Sequence, residues 1–167
     1  MKFVDAYAGD IKYVSEQRCW YIHNGVYWEA IDELSIIESA QQLNRSTAVL
    51  LDNRAQRIKK IMSGRRFSQQ VEAFARGDER CLLPMEELDK DPWLLGTPNG
   101  IVDLLTGRNI AMGLKPYVTM TTAVSPADVA DEKSCPLFLK FMDEFTCGDQ
   151  ELKKFLLGYA GYYVSLR

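Results

Sequence analysis

The densest run of side chains able to touch a polyanion lies between Arg54 and Arg80, where Arg54, Arg57, Lys60, Arg65, Arg66, Arg76 and Arg80 follow one another with few acids between them. Guanidinium and ammonium groups suit phosphate oxygens, and such contacts give sequence-independent affinity that falls steeply with salt. On a helical wheel, Leu51, Ala55, Ile58 and Met62 share one face, Asn53, Gln56, Arg57 and Lys60 occupy the other, and Arg54 flanks them. Two readings are open: a face that tracks a phosphate backbone, or the solvated side of an amphipathic helix. A second group, Trp20, Tyr21, Tyr27 and Trp28, offers rings on which unpaired bases could stack. Hairpin tryptophans more often fill cores, and alternation sets Trp20 and Ile22, with Val26 and Trp28, toward one side. A third, Glu86, Glu87, Asp89 and Asp91, has the residue type of two-metal chemistry but sits in a turn-rich run that reads as a solvated acidic loop.

Other chemistries lack their residues. No GxxxxGK[ST] loop is present, so nothing in the chain can cradle nucleotide phosphates, and no nucleophile elbow or triad pattern appears. The single histidine, His23, stands beside an Asn-Gly turn and reads as exposed and unpaired. Cys19, Cys81, Cys135 and Cys147 are scattered without a CxxC pair, as suits reduced thiols in a cytosolic protein. A zinc site would need Cys19 and His23 to meet two distant cysteines. No catalytic residue, metal or cofactor is therefore expected in this chain. Net charge is −3, yet residues 45–80 carry nine Lys and Arg against four Asp and Glu, between two acidic flanks.

The elements that would position these groups read as α+β. With 167 residues, 47% of them hydrophobic, the chain can bury a core as one domain or two small subdomains. Its apolar runs are too short to span a bilayer and its N-terminus lacks a signal-peptide pattern, so a cytoplasmic location and no membrane partner are the default. The aromatic stretch from Ile11 to Glu29 predicts a β-hairpin with a two-residue turn at Asn24-Gly25. Asp32 is an N-cap for helical spacing that continues to a capping Gly64, as one helix or as two broken near Leu43 to Ser46. Phe67, Val71, Phe74 and Ala75 form a second helical stripe closed by Gly77-Asp78. Beyond Pro84 the texture is short strands and turns, with Ile101 to Leu105 and Tyr117 to Val124 the pair expected. Ser134-Cys135-Pro136 opens a helix with Leu137, Phe138, Phe141, Met142 and Phe145 on one face. Asp149 caps a last one with Leu152, Phe155, Leu156 and Tyr159. The expected division is a hairpin-plus-helix subdomain over 1–82 and short strands with a C-terminal helical pair over 83–167. The apolar pattern running almost to Arg167 suggests one compact module cut from a longer chain.

The stretch from Asp91-Pro92-Trp93 through Asn99-Gly100 and Asp103 to Thr106-Gly107 reads physically as strand, turn, strand, turn. It also closely resembles the DPxLLNxxNGxxDLxTG signature of the domain that precedes the superfamily-3 helicase in phage and plasmid primases and in poxvirus primase-NTPases. Ile11 to Val14 with Trp20 to Trp28 resembles that family's opening hairpin, and Tyr117 to Val124, Cys135 to Phe141 and Gly148 to Ala160 resemble its closing segments. One departure is Gly96, where the family commonly has asparagine. The resemblance implies a non-catalytic helicase-associated module of a phage or prophage primase-helicase in a bacterial host cell. It would support ring assembly and guide DNA ahead of the motor. Implied partners are DNA, replication proteins and the module's own subunits in a ring, hexameric in the full-length protein. ATP and Mg²⁺ are expected only in the helicase domain downstream. Asn99, Gly100 and Asp103 read as turn-formers, and the alternative function is a purely structural oligomerisation module without DNA contact.

Overall fold

In the computed structural model, which describes residues 2–110, 113–126 and 135–165, six helices accompany two small antiparallel sheets of three strands each. The first sheet is a meander of β1 (Ile11–Val14), β2 (Cys19–His23) and β3 (Trp28–Ile31). Where a two-residue turn is predicted, the β2–β3 loop spans residues 24–27. The Asn24 carboxamide oxygen accepts the amides of Val26 and Tyr27 at 3.1 Å each, and Gly25 supplies φ 102°. The stretch from Ile11 to Glu29, predicted as a hairpin, holds a third strand, β1, as well. Both connections are even in length, so even-numbered residues pair with odd ones: Tyr13 faces Trp20, and His23 faces Trp28. Trp20 therefore shares a face with Ile11, Tyr13 and Ile31, while Trp28 lies on the opposite face with Tyr21. This corrects the common side that simple alternation predicts.

Both faces of the sheet are covered. On the first, α1 (Lys2–Tyr7), α2 (Glu33–Val49) and α4 (Arg65–Arg76) bring Phe3, Val4, Ile36, Ala40, Val71 and Ala75 around Trp20. On the second, Leu83, Leu88 and Tyr117 close over Val14, Tyr21 and Trp28. Each fully buried large apolar side chain contributes about 1.5–3 kcal/mol relative to an exposed one.

Asp32 caps α2 as expected, its carboxylate accepting the Ser35 amide at 2.8 Å. The helix runs unbroken through residues 43–46. The polar residue that suggests a break there, Asn44, is buried and donates to Ser68 Oγ of α4 at 3.2 Å. The interruption comes at residues 50–52, where Asp52 caps a 3-10 turn (Asn53–Ala55) leading into α3 (Gln56–Met62). Gly64 is the extended N-cap residue of α4 rather than a C-terminal cap, whereas Gly77 closes α4 as predicted. Phe74 leaves its predicted core stripe and is 72% exposed.

The second sheet joins β4 (Leu94–Thr97), β5 (Gly100–Asp103) and β6 (Arg108–Asn109). Residues 117–124, predicted as the partner strand of β5, instead tie the two sheets together. The Val118 carbonyl accepts the Trp28 amide at 2.8 Å, the Thr122 amide donates to the Gly96 carbonyl at 3.0 Å, and Thr121 bridges Gly96 in parallel. Asp89 holds this segment by accepting the Thr119 amide at 2.8 Å and the Thr119 hydroxyl.

The predicted C-terminal pair is present as α5 (Pro136–Phe145) and α6 (Gln150–Ser165), with Asp149 accepting the Glu151 and Leu152 amides at 3.0 Å. Ser134, a residue of the predicted cap, lies outside the described residues; Cys135 holds the cap position without a side-chain bond. Lys153 pairs with Asp143 at 2.7 Å between the helices. Of the predicted apolar face of α5 only Met142 is buried; Leu137, Phe138, Phe141 and Phe145 are exposed, as are Leu152, Phe155 and Tyr159 on α6. Among the described residues no helix is long and apolar enough to cross a membrane.

Gly96 has no room for a side chain: a Cβ there would lie 2.4 Å from the Met120 carbonyl oxygen and 2.8 Å from Thr121 Cγ2. Gly96→Ala is expected to cost about 1–3 kcal/mol, read as a lower urea midpoint at unchanged slope. Wild-type stability in that variant would disprove the close approach.

Candidate nucleic-acid interface

The basic run is carried by the least buried part of the helical half. α3 has no buried residue, and Ile58 on its predicted apolar face is 54% exposed, so the helix lies shallowly against α2 and α4. Arg54, Arg57, Lys60, Arg65 and Arg66 are all exposed, and none forms an ion pair or side-chain hydrogen bond among the described residues. Arg65 and Arg66 open α4, whose first turn holds no acid and whose N-cap, Gly64, brings no capping side chain. The positive end of the helix dipole thus adds to two guanidinium groups.

Arg76 stands apart from these five. Its guanidinium donates to Glu72 at 2.6 and 3.0 Å, meets Glu33 at 3.1 Å and lies 5.2 Å from the Tyr13 ring centroid. Glu72 is 2% exposed and also accepts the Trp20 indole N–H at 2.8 Å, so Arg76 neutralises a buried carboxylate. Arg80 is likewise engaged, by Asp78 at 2.9 Å and Asp5 at 2.6 Å, and its guanidinium, followed by its backbone amide, holds the Asp78 carboxyl down to about 2. Spacing alone did not separate the engaged cations from the unpaired ones. The i,i+4 relation of Glu72 to Arg76 was the available signal.

Three of the four hairpin aromatics are core, Trp20, Trp28 and Tyr21 being 2%, 1% and 8% exposed, while Tyr27 in the β2–β3 loop is half-buried. The signature residues build turns. Asp91 accepts the Trp93 amide at 3.0 Å, following Pro92, and Asp103 accepts the Leu105 amide at 2.8 Å and the Thr106 hydroxyl at 2.9 Å. These bonds, the Leu105 amide first, hold the Asp103 carboxyl below its ordinary value. Gly100 at φ 146° and Gly107 at φ 68° take the conformations a side chain would resist. The Asn99 amide donates to Ser125 Oγ at 3.1 Å. A cavity of about 430 Å³ opens between this turn and the hairpin loop, lined by Gly25, Val26, Asn99, Asn109 and Leu114 among others.

Among the described residues no group of three or more His, Cys, Asp and Glu could hold a metal. The acidic run is divided: Glu87 pairs with Lys90 at 2.7 Å, Asp89 holds Thr119, and Asp91 accepts the Trp93 amide. Of the four free cysteines Cys81 is buried, Cys19 partly so, and Cys135 and Cys147 are exposed. The sequence holds no GxxxxGK[ST] phosphate-loop motif.

The family model described as D5 N terminal like matches residues 1–147. No curated protein matches the chain.

His23 is half-buried rather than free: its Nδ1 accepts the Gly25 amide at 3.2 Å and its ring meets Trp28 edge-on at 5.3 Å. Burial pushes its pKa below the ordinary 6.5, Lys115 adds to that, and Asp10 works against it. The folded state thus favours the neutral ring. That contribution is fully present above the unfolded value of 6.5 and is lost as pH falls from there through the lower folded value. Urea unfolding from about pH 8 to 5 is expected to show declining stability that flattens in His23→Asn, whose carboxamide oxygen still accepts the Gly25 amide but does not titrate. Equal slopes in the two proteins would refute the assignment.

Proposed function

Because this chain belongs to the D5 N terminal like family, the N-terminal domain of phage and plasmid primases and of poxvirus D5-like primase-helicase proteins, we propose that it is a non-catalytic helicase-associated module. In this reading it guides DNA ahead of an ATPase motor and supports assembly of its own subunits into a ring, hexameric in the full-length protein, with replication proteins as further partners. It takes no cofactor itself; ATP and Mg²⁺ act in the helicase domain that follows. Its setting is the cytoplasm of a bacterial host, encoded by a phage or prophage. The hairpin-plus-helix part over 1–82 and the part over 83–167 are its two subdomains.

The observation that carries the DNA part is the set of five exposed cations, Arg54, Arg57, Lys60, Arg65 and Arg66, without acidic partners among the described residues. A protein with net charge −3 that leaves these cations uncompensated on α3, α4 and the 3-10 turn before them offers a local site for a polyanion. Arg76 contributes through the fold rather than through contact with DNA.

A second reading, a purely structural oligomerisation module, is favoured by a different observation. Leu137, Phe138, Phe141 and Phe145 on α5 and Leu152, Phe155 and Tyr159 on α6 are exposed apolar groups suited to a protein neighbour.

Binding isotherms on single- and double-stranded DNA over a salt series separate the two. Affinity is expected to fall linearly with salt on logarithmic axes. In Arg57→Glu/Lys60→Glu the slope should be shallower by about one unit per cation removed, with assembly unchanged. No measurable DNA binding at low salt would sink the first reading, and loss of assembly alone in the variant would favour the second.

A further inference from the structure

Phe74 is a large apolar side chain on the outer flank of the basic helix, 72% exposed, where the remaining outward residues of α4 are Arg65, Arg66, Gln69, Gln70 and Ala73. The core side of that helix is already complete: Ser68, Val71, Glu72 and Ala75 are buried. Phe74 is not held by another ring among the described residues, and the fold draws no burial from it.

Arg66, Gln70 and Phe74 are four residues apart in succession, so they run along one side of α4 with a rise of about 6 Å between them. That step is comparable to the phosphate-to-phosphate step of an extended single strand. The stripe begins in the first turn of α4, which packs against α3, the helix that carries the exposed Arg57 and Lys60. Cations that hold a backbone, an amide that can meet a base edge and a ring that can take a base face are the three parts of a sequence-tolerant single-strand site. A paired duplex keeps its base faces stacked inside and presents nothing for an exposed ring on a convex helix.

We infer that Phe74 is a base-stacking residue and that the outward stripe Arg66, Gln70, Phe74 makes single-stranded nucleic acid the preferred ligand of the basic face. This rests on the DNA reading above and adds to it the form of the strand and the residue that selects it.

The test is fluorescence anisotropy of the full chain with a labelled oligothymidylate and with a duplex of equal length at low salt. Phe74→Ala is expected to weaken single-strand binding roughly 5- to 100-fold and to leave duplex binding within about twofold. Phe74→Trp should keep the affinity and add a tryptophan emission that quenches on binding. Since Phe74 is 72% exposed, the variants should melt like wild type, which circular dichroism checks. Unchanged single-strand affinity in Phe74→Ala, with Arg57→Glu/Lys60→Glu impaired, overturns this inference and leaves the DNA reading standing. Equal losses on single strand and duplex also overturn it. A wild-type protein that binds neither ligand overturns both.

Discussion

The indole N–H of Trp20 needs an acceptor in the middle of the core, and the only kind of group that reaches it is a carboxylate that itself cannot stay buried alone. Trp20 is 2% exposed, Glu72 meets it at 2.8 Å and is equally buried, and Arg76 completes the chain from one turn further along α4. Breaking such a network by removing one member costs about 3–5 kcal/mol, because the charge left behind has no solvent. The geometry that satisfies it also sets the rotation of α4 on the sheet. With Glu72 turned inward, Val71, Ala75 and Ser68 follow it, and Arg66, Gln70 and Phe74 are carried to the outside. One buried hydrogen bond thus decides both which arginine is structural and which side chains face solvent.

The same economy appears where the two sheets meet. Residues 117–122 make hydrogen bonds to β3 and to β4 without belonging to either, and Asp89 fixes them from the preceding loop. Lys115 reaches back to Asp10 and to the Gly9 carbonyl from the same segment. Asp89 is occupied by the Thr119 amide and hydroxyl and Glu87 by Lys90, and among the described residues no cluster suited to a cation forms. The carboxylates of the signature motif, Asp91 and Asp103, act on the local backbone.

Local chemistry was legible in the chain, and long-range partners were not. Asp32, Asp149, Gly77 and the turns at Asn99-Gly100 and Thr106-Gly107 declare themselves because cap and turn preferences act within four residues. The continuity of α2 through Asn44 depended on Ser68, and the extended course of Tyr117 to Val124 depended on Trp28 and Gly96; neither partner is near in sequence. The register of the first sheet depended on loop length, which sent Trp20 and Trp28 to opposite faces. The candidate interface was half legible for the same reason. A basic run is visible in composition, and Glu72 and Asp78 are near enough in sequence to hint that Arg76 and Arg80 are engaged, but the distant partners Glu33 and Asp5 are visible only in the fold.

The C-terminal helices pose the opposite problem, an apolar face without a core. Phe141 stacks on Phe145 at 5.8 Å and Phe155 on Tyr159 at 6.1 Å, each pair along its own helix and each exposed. Helices of 10 and 16 residues are marginal in water on propensity alone and draw most of their stability from packing of the apolar side. Here Lys153 pairs with Asp143, and Met142 and Thr146 are buried. Of the basic residues near the stripes, Lys153 is paired with Asp143 and Lys140 lies 3.8 Å from Glu144, while Lys154 is exposed. Phe74 shares its side of α4 with the unpaired Arg66, two turns away. The two apolar features of the surface therefore differ in how the charges around them are paired.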